Sequence, residues 1–198
     1  YAKGNRLLDS EYRASMPAFR QVGNWTLTLL TKVASGYWKM MDPQNGYTAI
    51  SLSALKAIDL EAISDGHDYT NDLLVRLNVA EQRVADVAMP AKYGEEESTI
   101  DYLEFIPNTS TTLLKSFCWR LKRRHLTRDF HPLALFYGLG VVSIVAGIVG
   151  GIASIRRESD SSTRSIGALL ALSFGCFFWL RAMVLDLRAN SAQEVREE

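Results

Sequence analysis

Two kinds of side chain in this sequence stand where they could act on a phosphorylated substrate. Arginine offers a planar fork that grips phosphate bidentately, and lysine a compact positive charge. Arg6, Arg13 and Arg20 fall early in the chain, with Ser15 between the last two, and Lys92 follows Pro90. Asp42 opens a dense turn, Asp42-Pro43-Gln44-Asn45-Gly46, ahead of Tyr47. Its carboxylate is either a group lining a reacting centre or an Asx-turn residue before proline. Gln44 and Asn45 offer amides, and Gly46 suits a tight backbone. Asp72 lies four residues after Asp68 on one helical face, and the helix dipole favours Asp68 more than Asp72. Tyr47 and Tyr69 read as core. His67, His125 and His131 are scattered, and none is assigned to catalysis. Cys118 and Cys176 show no CxxC or Cys/His spacing, which excludes a disulfide scaffold and gives no zinc site. Arg6, Asp42, Gln44, Asp72 and Lys92 are spread over 87 positions, so only folding could bring them to one cleft.

The elements that would do so read as mixed α/β. Residues 1–6 look like a strand running into a loop at 9–16, closed by Pro17. Val22, Trp25, Leu29, Leu30 and Val33 recur at helical spacing and predict a helix over 18–37. A short strand follows at 47–50, then a short helix from Ser51, with Ser53 as a competing cap. Leu73, Leu74 and Leu77 predict a helix over 70–80. Val84, Val87 and Met89 predict a strand over 83–89, beside the first one. An acidic block (Glu95, Glu96, Glu97, Asp101, Glu104) precedes an amphipathic basic helix over 109–127, with Leu113, Leu114, Phe117 and Leu121 opposite its lysines and arginines. Such a helix suits the surface of a bilayer, where each basic residue adds about 1 kcal/mol of attraction to anionic lipid.

Lys plus Arg and Asp plus Glu each total 22 in 198 residues, a balance that excludes a uniformly basic nucleic-acid binder. The apolar residues are concentrated late. Residues 132–155 carry no charge, nor do 165–180, and about 20 apolar residues suffice to span a bilayer core. Two antiparallel spans, 132–155 and 165–187, are expected, with both ends on one side. Gly138, Gly140, Gly147, Gly150 and Gly151 suit close packing, and 147–151 forms a GxxxG. Lys115, Arg120, Lys122, Arg123, Arg124 and Arg128 precede the first span, against Arg156, Arg157 and Arg164 in the connecting loop. This excess predicts a cytoplasmic N-terminal part and C-terminus.

The order of these pieces resembles the C-terminal part of a family 2 glycosyltransferase of the polyprenyl-phosphate type, dolichol-phosphate mannosyltransferase-like. The residues that carry the resemblance are Gly4-Asn5-Arg6, Gly23-Asn24-Trp25, Asp42-Pro-Gln-Asn-Gly46-Tyr47, Asp68-Tyr-Thr-Asn-Asp72, and Arg83 through Pro90 to Lys92-Tyr93-Gly94, then the basic helix and the apolar hairpin. The resemblance implies a GT-A-like fold and the transfer of a sugar from a nucleotide sugar to a polyprenyl phosphate. It implies catalytic roles for Asp42, Gln44 and Asp72, phosphate contacts from Arg6, Arg13, Ser15, Arg20 and Lys92, and a sugar pocket of Asn45, Gly46 and Tyr47. Residues 1–107 would be the catalytic portion, 108–131 the interfacial helix, 132–190 the hairpin and 191–198 a polar tail. The family's metal-holding Asp-x-Asp occurs nowhere here, the nearest pattern being Asp9-Ser-Glu11. The chain is therefore expected to be a fragment lacking the nucleotide-binding half, with the ligands of a divalent metal (Mg or Mn) lying in that half. The implied partners are the donor, the lipid phosphate, the membrane and a second copy through the hairpin, with no nucleic acid. A non-enzymatic membrane adaptor is the alternative reading.

Overall fold

The computed structural model describes residues 1–7, 18–66, 68–89, 102–128, 131–156 and 161–196. The chain divides into two units: 1–124 together with 189–198, and 125–188. The described residues are mixed α/β and mostly helical.

In the first unit four short strands form one sheet in the order β2-β1-β3-β4. β1 (Ala2–Asn5) is antiparallel to β2 (Thr48–Ala49) and parallel to β3 (Val84–Ala88), with Lys3 aligned to Asp86 and Asn5 to Ala88. The two strands expected at 1–6 and 83–89 are thus neighbours. β4 (Glu194–Arg196) runs parallel to β3 and aligns Glu194 with Val84. These residues, read in the sequence as a polar tail, carry too little β pattern to announce a strand. The other edge of β3 supplies the pairing partners that make them one.

Helices of the same unit pack on one another and against Val84 of β3. α1 is Ala18–Ser35, α2 Leu52–Lys56, α3 Tyr69–Val79 and α4 Tyr102–Arg120. α2 begins at Ser51, whose hydroxyl accepts the Ala54 N–H at 3.2 Å. Leu74 and Leu77 of α3 are fully buried with Tyr37, Met40, Ala54 and Val84, as the leucine spacing predicts. Burying each is worth about 1.5–3 kcal/mol. A second cluster joins Ala34 of α1, Val75 of α3 and Leu113 of α4.

Two faces differ from the sequence pattern. The apolar stripe of α1 points outward: Val22 is 65% exposed, Trp25 64% and Leu29 51%. The buried side carries Thr28, Thr31, Ala34 and Ser35, and it packs because its polar groups find partners. Thr31 donates to Asn71 Oδ1 at 3.1 Å, and Arg120 of α4 donates to the carbonyls of Ala34 and Val33 at 2.8 and 2.9 Å. In α4 the buried seam is Thr109, Leu113, Ser116 and Arg120, while Leu114 faces out. Arg120 is fully buried and Arg124 donates to Asn78 and Gln193, so these two members of the basic block serve the fold rather than a lipid surface. Lys115, Lys122 and Arg123 stay exposed. Beyond Arg120 the helix continues as a π-helical stretch, Leu121–Arg128. Tyr47, read as core, is 73% exposed, because the short β2 lies at the edge of the sheet.

The second unit holds α5 (Pro132–Arg156) and most of α6 (Ser161–Asn190), both long and apolar enough to cross a membrane. At about 1.5 Å per residue either helix exceeds a hydrocarbon core of roughly 30 Å. A Cβ on Gly147 would meet Leu172 Cγ at 2.6 Å, one on Gly175 would meet Ile144 Cγ1 at 2.6 Å, and one on Gly140 would collide with Trp179. Gly138 and Gly151 face open space, so the packing seam uses Gly140 and Gly147 and not the GxxxG pair 147–151. Two turns separate Gly140 from Gly147, which keeps both on the face toward the partner helix. The Tyr137 and Trp179 rings meet edge to face, their centroids 5.7 Å apart.

Candidate active site

Parallel strands leave a crevice beyond their carboxyl ends where ligands commonly sit. β1 and β3 end there at Asn5 and Ala88, and the following Arg6 turns onto Asp42. Arg6 Nε and Nη2 donate to Asp42 Oδ2 and Oδ1 at 2.8 and 3.2 Å, and the Arg6 backbone N–H adds a third bond at 3.2 Å. The Asp42 side chain is 5% exposed and that of Arg6 30%, so the pair presents its cation outward and hides its carboxylate. A bidentate pair of this kind fixes a guanidinium in one orientation.

The turn that carries Asp42 is stapled to β1. Asn45 Nδ2 donates to Gly4 O at 2.8 Å, and its Oδ1 accepts the Tyr47 N–H at 3.1 Å. Gly4 leaves room for this staple, since a Cβ there would displace the Met89 thioether and press on the Asn45 amide. Gln44 Nε2 reaches Asn71 Oδ1 at 3.0 Å. Gly46 and Tyr47 lie exposed, and nothing would crowd a Cβ at Gly46. Asp72 is engaged by three donors: Arg76 Nε at 2.8 Å, Ser116 Oγ at 3.1 Å and the Ser64 N–H at 3.2 Å. It thereby ties α3 to α4 and to the preceding loop. Arg13, Ser15 and Lys92 lie outside the described residues, and Arg20 is described only as backbone in the first turn of α1.

Beneath the Arg6–Asp42 pair lies a charged layer that the sequence reading passed over. Lys3 is fully buried, and its ammonium has no hydrogen-bond partner among the described residues. Burial pulls its pKa down to about 8, against the opposing pull of Asp42 and Asp86, with Arg6 adding to the depression. Asp86, aligned with Lys3 across the strands, accepts from Asn5 Nδ2 at 2.7 Å and from the Met41 N–H at 2.8 Å through Oδ2, while its Oδ1 has no partner among the described residues. Burial raises its pKa, the Met41 and Asn5 bonds oppose this, and Asp42 adds to the rise. A charged residue alternating with small apolar ones in each strand, Ala-Lys-Gly and Val-Ala-Asp-Val, was the available signal. Among the described residues no three metal-ligating side chains gather, and Asp42 is filled by Arg6. The bidentate pair leaves the Arg6 guanidinium a fixed, partly exposed cation.

Comparison with known proteins adds to this geometry. The chain is 26% identical over 95 residues to the UDP-N-acetylglucosamine–dolichyl-phosphate N-acetylglucosaminyltransferase of Methanococcus voltae. A second relative, 27% identical over 94 residues, is an uncharacterized protein of Methanocaldococcus jannaschii. Each match takes in 48% of this chain and only 38% of the relative. The named relative transfers N-acetylglucosamine, which gives no support to a mannosyltransferase subtype. No family model and no solved structure matches the chain.

Proposed function

We propose that this chain is the membrane-anchored part of a glycosyltransferase that moves a sugar from a nucleotide sugar to a polyprenyl phosphate. The observation that carries the reading is the bidentate Arg6–Asp42 pair at the carboxyl ends of parallel β1 and β3, in a chain with two helices of membrane-crossing length. In this reaction an oxygen of the lipid phosphate forms a bond to the anomeric carbon as the bond from that carbon to the nucleoside diphosphate breaks. A phosphate monoester is largely ionised near neutral pH, with a second pKa of about 6, so no strong base is needed. The demands are positioning and neutralisation of charge. Arg6, held by Asp42, faces the leaving diphosphate. Arg13, Ser15, Arg20 and Lys92 receive the acceptor phosphate, and the amide of Gln44 borders the sugar.

The sheet is read as the C-terminal part of a GT-A-like domain. A donor half with a Mg or Mn ion would complete such a domain. The ion would offset diphosphate charge there. Exposed Trp25, Val22 and Leu29 suit contact with lipid. β4 beside β3 joins residues from either flank of the two apolar helices in one sheet, which supports both ends of the hairpin lying on one membrane face, taken as cytoplasmic. The test is reconstitution of the full-length parent in liposomes with polyprenyl phosphate and a panel of nucleotide sugars. Appearance of a lipid-linked sugar with release of the nucleoside diphosphate is expected. Absence of transfer from every donor would overturn the reading.

A further inference from the structure

The segment that returns after the second apolar helix reaches the site through one carboxylate. Glu194, nearly buried in β4, accepts the backbone N–H of Trp38 at 2.6 Å and that of Lys39 as well. Both donors lie in the irregular stretch between α1 and Asp42, where no helix or strand satisfies them. The same stretch is fixed at two other points. At its start Gly36, with φ of +81°, closes α1 by donating to Lys32 O at 2.8 Å, and Arg120 and Asn190 crowd the place where a Cβ would stand. At its end the Met41 N–H meets Asp86, and the next residue is Asp42. The returning segment is itself pinned. Asn78 Nδ2 donates to Asn190 Oδ1 at 2.8 Å and to Gln193 Oε1 at 3.2 Å, and Arg124 also donates to Gln193 at 3.1 Å. β4 completes the attachment by pairing with the strand that holds Asp86.

We propose that Glu194 is a positioning residue for the Arg6–Asp42 site, acting through the backbone of Trp38 and Lys39. The carboxylate sits 156 residues from Trp38 in sequence, on the far side of both apolar helices, so the site is assembled only when the chain has passed through the hairpin and come back. A carboxylate is the fitting acceptor: its two oxygens take two adjacent N–H groups, and charge-assisted bonds are the stronger kind. Loss of this clamp frees the stretch that presents Asp42 without touching Asp42 itself.

The kinetic arm of the test rests on the transferase reading, and the structural arm does not. Full-length protein in lipid nanodiscs is compared as wild type, E194A and E194Q. Amide exchange over residues 36–41 is read by mass spectrometry beside kcat and KM for polyprenyl phosphate. For E194A, exchange over this stretch is expected to rise about tenfold or more, with kcat falling about tenfold and KM shifting less than about twofold. E194Q keeps one acceptor oxygen and should fall between, which separates a lost clamp from a misfolded chain. Unchanged exchange in E194A overturns the clamp. Faster exchange with unchanged kcat overturns the positioning role. Were the wild type to transfer no sugar, the transferase reading would fail, and the exchange arm would still decide whether Glu194 holds this stretch.

Discussion

At the residue scale the site is a problem of buried charge. Lys3 is fully buried, and a lysine so placed makes folding depend on pH. Its pKa falls from 10.5 in the unfolded chain to about 8 in the folded one. Between those values the unfolded chain holds more protons, so stability rises with pH across the window, and the cost is present in full below about 8. One pKa unit corresponds to about 1.4 kcal/mol, which sets an upper bound of roughly 3.5 kcal/mol on the gain. Thermal unfolding in detergent from pH 7.5 to 10.5 should show this rise in the wild type and lose it in Lys3→Met. Identical slopes in the two proteins would show that Lys3 does not titrate as its burial implies. The turn Asp42–Gly46 and Arg6 are legible in the sequence because proline, glycine and arginine are conspicuous. Lys3 and Asp86 are not, because a charge inside a strand becomes meaningful only once its neighbour across the sheet is known.

At the scale of elements, local pattern set where chain segments are helical or extended, and tertiary partners set which face is inside. α3 buries its leucines as their spacing predicts, and its other side packs Val75 and Asp72 against α1 and α4. α1 did not follow its apolar stripe. Thr28, Thr31 and Ser35 are weak inward signals, and only the presence of Asn71 and Arg120 makes burying that side favourable. β4 was illegible for a different reason, being three residues whose pairing partner lies more than a hundred positions away in sequence. Two predictions belong here. Gly36→Ala should destabilise the protein by about 1–2 kcal/mol, because its positive φ and the Arg120 guanidinium 2.5 Å from the added carbon both resist it. A melting temperature equal to that of the wild type would contradict this. In the hairpin, Gly147→Leu should separate α5 from α6 where Gly151→Leu should not, since only the first meets Leu172 and Ala168. Disulfide cross-linking between paired cysteines introduced on α5 and α6 reads the difference, and equal loss in both variants would refute the assigned seam.

At the scale of the whole molecule, one sheet gathers strands from the start of the sequence and from beyond the two apolar helices, and the candidate site sits where its parallel strands end. The charged layer, the stapled turn and the Glu194 clamp all converge on the orientation of one guanidinium. The account therefore stands on Arg6 and Asp42 working as a single unit in sugar transfer. A double-mutant cycle tests this most directly: kcat/KM for transfer to polyprenyl phosphate by the full-length protein with Arg6→Ala, Asp42→Asn and both together. Charge-assisted bonds of this type are worth roughly 1.5–3 kcal/mol, or about 10- to 150-fold. Each single variant should lose activity within that range, and the double variant should be little worse than the poorer single one, because either change already dissolves the unit. Full additivity of the two losses, or single variants as active as the wild type, would contradict it.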